Sequence, residues 1–309
     1  MFDPDVERLL AAIAFRQAPP LEQLSVAEAR LAYQQSCAAF ALPAPTLPSV
    51  EDLPGPDGCA LRIYRPVVGD ASLPWLFYLH GGGWVMGGLD THDAVCRNLA
   101  HGSGCCVIAP DYPLAPEHPF PAALDSVLAT LAWLRTQADT LRLRPDRMAI
   151  GGDSAGANLA ASCCLILRDT GLEAPRLQLL FYPATDLRAT SDSYARVNSR
   201  VPLTGDRMRW FIRHTLRDPA DALDWRASPL LAPSLAGLPP CLLVTAGHDP
   251  LRDEGIAYAQ RLEHEGGRVT LLHLADQIHG FLTLGRALPR AARVLQQAAQ
   301  ELASQLALV

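Results

Sequence analysis

Arg147-Met148-Ala149-Ile150-Gly151-Gly152-Asp153-Ser154-Ala155-Gly156-Ala157-Asn158 is the stretch on which the chain turns. Arg147 to Ile150 reads as a short buried strand, and the small, apolar run from Ala157 to Leu167 reads as a buried helix. Between them a serine stands inside Gly152-Asp153-Ser154-Ala155-Gly156. A reversal this tight crowds the strand and helix backbones, and glycines relieve the crowding because they carry no side chain. The serine is pushed out at the head of the helix, where unpaired N–H groups favour negative charge. Ordinary turns contain such residues too, so the remainder of the chain must decide the reading.

The 309 residues fit one large α/β domain or two ordinary ones. With 49% hydrophobic and 19% charged residues, the chain is a packed globular protein. A net charge of −6 gives no electrostatic reason to expect nucleic acid or an anionic membrane as partner. All 26 basic residues are arginine, which in an Ala-, Leu- and Pro-rich chain reads as compositional bias. The eight cysteines include no Cys-x-x-Cys pair and sit mostly in apolar runs. They read as reduced core residues, neither a disulfide framework nor a zinc site. The acidic start, Met1-Phe2-Asp3-Pro4-Asp5-Val6-Glu7, lacks the positive charge of a signal peptide, and Leu9 to Phe15 is too short to span a bilayer. A soluble cytoplasmic protein without stable membrane association is expected.

Helices are predicted over 3–16 and 26–40, the second opened by Ser25 with Glu28 three residues on, a capping-box pattern. With Pro19, Pro20, Pro43, Pro45 and Pro48 around them, residues 1–50 read as a helical preface, a lid in preference to a dimer contact or mere packing. Residues 51–309 then form the catalytic domain. Within it, 59–65 alternates as an early antiparallel strand, while 75–80 and 105–110 are continuous apolar runs suited to central parallel strands. Further strands are expected at 176–182, 241–246 and 268–274. Helices are expected at 91–101, 120–137, 253–266 and 287–306, with a polar helical insert at about 186–225. The alternation implies a mostly parallel sheet covered by helices on both faces.

A serine becomes a useful nucleophile only when a base takes its proton and a third group orients that base. In α/β-hydrolases the order is serine, acid, histidine. Gly247-His248-Asp249-Pro250-Leu251-Arg252-Asp253 follows the strand 241–246, and Ala275-Asp276-Gln277-Ile278-His279-Gly280-Phe281 follows 268–274. Both loops lie at carboxyl ends of strands, where function gathers in open parallel sheets. Asp249, three residues past its strand, is the preferred acid; Asp276 is second, and Asp253 is better placed to start the next helix. His279 is the preferred base over His248, His264 and His273. His80-Gly81-Gly82-Gly83-Trp84 follows the strand 75–79 and supplies backbone amides opposite the nucleophile, with that of Ala155 beside the serine. A phosphate cradle is disfavoured: there is no Gly-Lys-Ser/Thr, and no Gly-x-Gly-x-x-Gly opening a helix with an acid about 20 residues on.

These motifs, with Asp111-Tyr112-Pro113-Leu114-Ala115-Pro116-Glu117 and the sequence order in which they occur, resemble the hormone-sensitive-lipase family of bacterial esterases along essentially the whole chain. The resemblance implies an α/β-hydrolase fold with a helical cap built from the N-terminal helices of residues 1–50 and the insert at about 186–225. It also implies hydrolysis of carboxylic esters by Ser154, His279 and Asp249, with Gly82, Gly83 and Ala155 around the oxyanion. Two departures stand out. Pro113 replaces the arginine usual in Tyr-Arg-Leu-Ala-Pro-Glu, removing an ion-pair partner, and Ala157 replaces the second glycine usual after Ser-Ala-Gly.

The expected substrate is a soluble short- to medium-chain ester, and none of the steps requires a metal or organic cofactor. Amide or lactone hydrolysis on the same triad stays open. A non-catalytic receptor on this scaffold is disfavoured because the related gibberellin receptors lack the histidine present here as His279. Trp84, Tyr182, Val201, Leu203, Met208, Trp210 and Phe211 are candidates for the pocket wall, although core positions suit each of them better. The strand 268–274 is placed at or near the sheet edge, where a homodimer can form by extending the sheet.

Overall fold

The computed structural model describes residues 1–16, 19–69, 71–197 and 199–306. Eight strands form one sheet: β1 (Ser49–Pro54), β2 (Ala60–Arg65), β3 (Leu73–Leu79), β4 (Cys106–Pro110), β5 (Leu143–Asp153), β6 (Gln178–Phe181), β7 (Cys241–His248) and β8 (Val269–Ile278). Their order is β1-β2-β4-β3-β5-β6-β7-β8. β2 pairs antiparallel with β1 and β4, and every pairing from β4 to β8 is parallel. The helices are α1 (Pro4–Phe15), α2 (Val26–Phe40), α3 (Leu89–Ser103), α4 (Ala122–Thr136), α5 (Ala155–Asp169), α6 (Ser193–Arg196), α7 (Gly205–Thr215), α8 (Arg252–His264) and α9 (Arg290–Gln305).

Strand alternation divides the interior in two. Trp75, Phe77 and Leu79 of β3 join one apolar cluster with Val127 and Leu131 of α4, Leu165 of α5 and Tyr258 of α8. Leu76 and Tyr78 point the other way, into a cluster with Val6 of α1, Leu99 of α3 and Leu295 of α9. Because both faces are covered, the central strands read as unbroken apolar runs. Truncating a residue such as Phe77 to alanine would cost about 3–5 kcal/mol. All eight cysteines are free and buried.

Two expectations need correction. Residues 49–54, attached in part to a purely helical preface, form β1. Val50 and Leu53 are three apart, so they lean to opposite faces and pack on different apolar clusters; with Glu51 and Asp52 exposed between them and prolines at the flanks, the segment shows no alternation by which to read a strand. β8 runs on through Ala275, Asp276 and Gln277 to Ile278, so Asp276 lies in the strand and not in the loop that carries His279.

The capping box of α2 is present, with Glu28 N–H donating to Ser25 Oγ and Ser25 N–H donating to Glu28 Oε2 at 2.9 Å. The 186–225 segment contains α6 and α7. An ion pair of 3.0 Å between Glu22 and Arg207 joins α7 to the turn that precedes α2. Glu117, in the motif where Pro113 stands in place of arginine, is held by Arg30 of α2.

Candidate active site

β5 ends at Asp153 and α5 begins at Ala155, leaving Ser154 between them with φ 55° and ψ −117°. Few residues with a Cβ occupy that region, and it persists only where the surroundings impose it. Here Ser154 N–H donates to Phe181 O at 2.9 Å, and its carbonyl accepts from Asn158 N–H at 3.0 Å. A Cβ on Gly152 or Gly156 would overlap the Leu79 carbonyl of the neighbouring strand, so the turn can close this tightly only with glycine on both sides. The Asn158 amide then ties α5 to two loops, donating to Ala184 O at 2.9 Å and Ala227 O at 2.8 Å.

β7 and β8 are adjacent and parallel, which brings Asp249 and His279, the residues just past their ends, to the same side of the sheet. His279 Nδ1 lies 2.7 Å from Asp249 Oδ2, and Nε2 lies 2.9 Å from Ser154 Oγ. With Nδ1 protonated toward the carboxylate, Nε2 is left to accept the serine hydroxyl. Asp249 Oδ1 accepts from Leu251 N–H at 2.8 Å, which fixes the carboxylate independently of the histidine. Asp249 is 1% exposed and His279 10% exposed. The ring of Tyr182, past the end of β6, packs against the imidazole with centroids 4.7 Å apart.

The alternatives weighed in the sequence are elsewhere. Asp276 faces Arg290 at 3.5 Å. Asp253 is in the first turn of α8, where it accepts from Ser193 N–H at 2.8 Å. His273 contacts Thr245 Oγ1, and His248 packs on Phe2.

Gly82 and Gly83, with φ of 126° and 63°, form a turn closed by Met86 N–H donating to Gly82 O at 2.9 Å. Among the described residues, no protein acceptor engages the amides of Gly82, Gly83 or Ala155. These glycines, Ser154 and His279 line one cavity of about 240 Å³. Its walls come from α2 (Tyr33, Cys37), the 186–225 segment (Leu203, Met208, Phe211) and the turn after β8 (Thr283, Leu284). Of the wall candidates, Leu203, Met208 and Phe211 line the cavity, while Trp84, Tyr182, Val201 and Trp210 are buried outside it. Tyr33 and Cys37 were missed. The helical spacing of α2 was legible, but not which of its faces meets the serine. Burial pushes the Cys37 thiol up to about 11, so it meets the cavity as a neutral group.

A family profile described as the alpha/beta hydrolase fold matches residues 76–283. The chain is 46% identical to the carboxylic ester hydrolase LipN of Mycobacterium tuberculosis over 254 residues, 79% of this chain and 67% of that protein. It is 40% identical to the ethyl acetate hydrolase of Pseudomonas putida over 273 residues, 86% of each chain. Among solved structures, it superposes with a TM-score of 0.93 on the ester hydrolase Eh1AB1 from the metagenome of Lake Arreo, at 39% identity over 98% of this chain and 99% of that one. The hyperthermophilic esterase of Pyrobaculum calidifontis gives a TM-score of 0.93 at 37% identity over 99% of each chain. The chain therefore belongs to the α/β-hydrolase-fold family, in its hormone-sensitive-lipase-like group of carboxylic ester hydrolases.

Proposed function

We propose that the protein hydrolyses short- to medium-chain carboxylic esters through an acyl-enzyme, with Ser154 as nucleophile, His279 as base and acid, and Asp249 as the group that orients the imidazole. The observation that carries this reading is the unbroken relay from Ser154 Oγ through His279 to Asp249, opening into the cavity that Gly82 and Gly83 line. Ser154 Oγ attacks the ester carbonyl as its proton passes to His279 Nε2. The carbonyl oxygen becomes an oxyanion and takes hydrogen bonds from the amides of Gly82, Gly83 and Ala155, at the positive end of α5. Collapse of the tetrahedral adduct expels the alcohol, protonated by the imidazolium. Water, deprotonated by the same histidine, then releases the acid and restores the serine.

The size of the cavity supports a small substrate: about 240 Å³ lies below the ~300–1,000 Å³ usual for drug-sized ligands. Similarity to an enzyme named for ethyl acetate points the same way. In this reading α2 and the 186–225 segment form the cap.

Initial rates on p-nitrophenyl esters from C2 to C16, with Ser154→Ala alongside, test the proposal. The expected result is a maximum at short to medium chains that disappears in the variant. A variant that keeps most of the activity would exclude Ser154 as nucleophile. A parent inactive at every length would redirect the search to amides or lactones.

A further inference from the structure

Beneath the glycine turn lies a buried polar cluster that the steps above do not use. Asp153 ends β5 one residue before Ser154, and its side chain is only 4% exposed. Its Oδ1 gathers three polar groups: it accepts from Tyr78 Oη at 2.9 Å and from Gly81 N–H at 3.0 Å, and it lies 3.1 Å from His92 Nε2, which is itself 3.3 Å from the Gly81 nitrogen. Gly81 immediately precedes the oxyanion glycines, so a single carboxylate oxygen links the residue before the nucleophile to the residue before the oxyanion turn. The approach is close enough that a Cβ on Gly81 would overlap Asp153 Oδ2.

The rest of the cluster is equally committed. Thr91 Oγ1 donates to Gly88 O at 2.8 Å and lies 2.8 Å from His92 Nδ1, which holds the ring from its other side. Tyr112 Oη donates to His80 O at 2.6 Å and its ring stacks on the His80 imidazole at 4.2 Å. His80 Nδ1 in turn donates to Gly81 O at 2.8 Å. Burial pushes His80 down to about 3, so its ring is neutral at ordinary pH. Burial would raise the Asp153 carboxyl, but His92, with the hydrogen bonds from His92 and Tyr78, outweighs it and holds the group below its usual value. The backbone of His80 and Gly81 is thus fixed, and the open amides begin at the next residue.

We infer that Asp153, braced by His92, is a positioning residue that sets the amides of Gly82 and Gly83 relative to Ser154 Oγ. The inference rests on the proposed esterase reading and extends it to how the oxyanion site is pre-organised. Donors act on a developing charge only if they are already in place, and an error of about 1 Å can cost about 100-fold in rate. Asp153→Asn keeps the shape but loses the charge that gathers Tyr78, Gly81 and His92.

The test compares parent, Ser154→Ala, Asp153→Asn and Tyr78→Phe on p-nitrophenyl butyrate, with rates of inactivation by a p-nitrophenyl alkylphosphonate and circular-dichroism melts. Asp153→Asn is expected to lower kcat by about 10- to 100-fold, to slow phosphonylation in parallel and to leave KM within about threefold. A folded Asp153→Asn with parent-like kcat and phosphonylation, even with a lowered Tm, would reduce the carboxylate to a core ion pair and overturn the inference. If Asp153→Asn does not fold, Tyr78→Phe decides: a loss in kcat at constant KM supports the inference, and a parent-like kcat overturns it. An inactive parent would instead sink the esterase reading.

Discussion

Asp249 is gripped from two sides, by Leu251 N–H on Oδ1 and by His279 on Oδ2, and buried to 1% exposure. A carboxylate so placed can hold the imidazole in one tautomer throughout a reaction cycle. Asp276, three residues before His279 in sequence, is in β8 beside Arg290. Asp249→Asn is therefore expected to lower kcat on p-nitrophenyl butyrate by about 10⁴-fold, because the amide favours the wrong tautomer. Asp276→Asn should stay near the parent, and the reverse ranking would overturn the assignment of the acid. The meeting of Ser154, Asp249 and His279 was legible because each follows a strand whose pattern is legible and the chemistry expected of them demands their types in that order. Asp153 and His92 were not, since nothing local in sequence signals that residues 61 apart meet at 3.1 Å below a glycine turn. What distinguishes them is burial of charge, which only the folded chain displays.

Arg30 fastens α2 to the body of the protein. Its guanidinium grips Glu117 with two bonds of 2.8 and 2.6 Å and also donates to Val85 O at 2.8 Å and Ala115 O at 3.0 Å. Val85 lies two residues beyond Gly83, so this wall of the cavity and the glycine turn share a support. Arg30→Ala is expected to raise KM about 3- to 10-fold while lowering kcat less, since it loosens a wall and leaves the relay intact. Equal loss in kcat with unchanged KM would mean that Arg30 acts on the chemistry instead. The Arg30 hydrogen bonds hold the Glu117 carboxyl down to about 2 from an ordinary 4.5. A depressed carboxyl contributes stability above its unfolded value and loses it as pH falls through the folded one. The Tm advantage of parent over Glu117→Gln should therefore be present at pH 6 and fade between about pH 4.5 and pH 2. Half-exposed as the pair is, screening keeps that advantage below about 1 kcal/mol. Element boundaries were read best where periodicity ran long, as in α2 and α4. They were read worst at β1 and the end of β8, whose polar outward residues imitate loop.

At the scale of the molecule, β1 and β8 are the two open edges of the sheet. Along β8, Thr270, Leu271, His273 and Ala275 are exposed, Leu271 at 39%, and no proline interrupts the strand. The chain covers part of this edge itself, since Asp3 N–H donates to Asp276 O at 3.1 Å. The accessible stretch is therefore 269–275, long enough for antiparallel pairing with a second copy about a two-fold axis. Exposed edges with apolar side chains are the ones that recruit partners. The expectation is a homodimer at micromolar concentration by sedimentation velocity. Leu271→Pro, which removes an N–H from the open edge, and Leu271→Lys, which places like charges across the axis, should each shift it to monomer. Leu271 does not line the cavity around Ser154, so hydrolysis per chain should persist in the monomeric variants. A parent that sediments as a monomer at about 100 μM would remove β8 as an assembly surface while leaving the site untouched. A dimer that survives both substitutions would place the contact on another face.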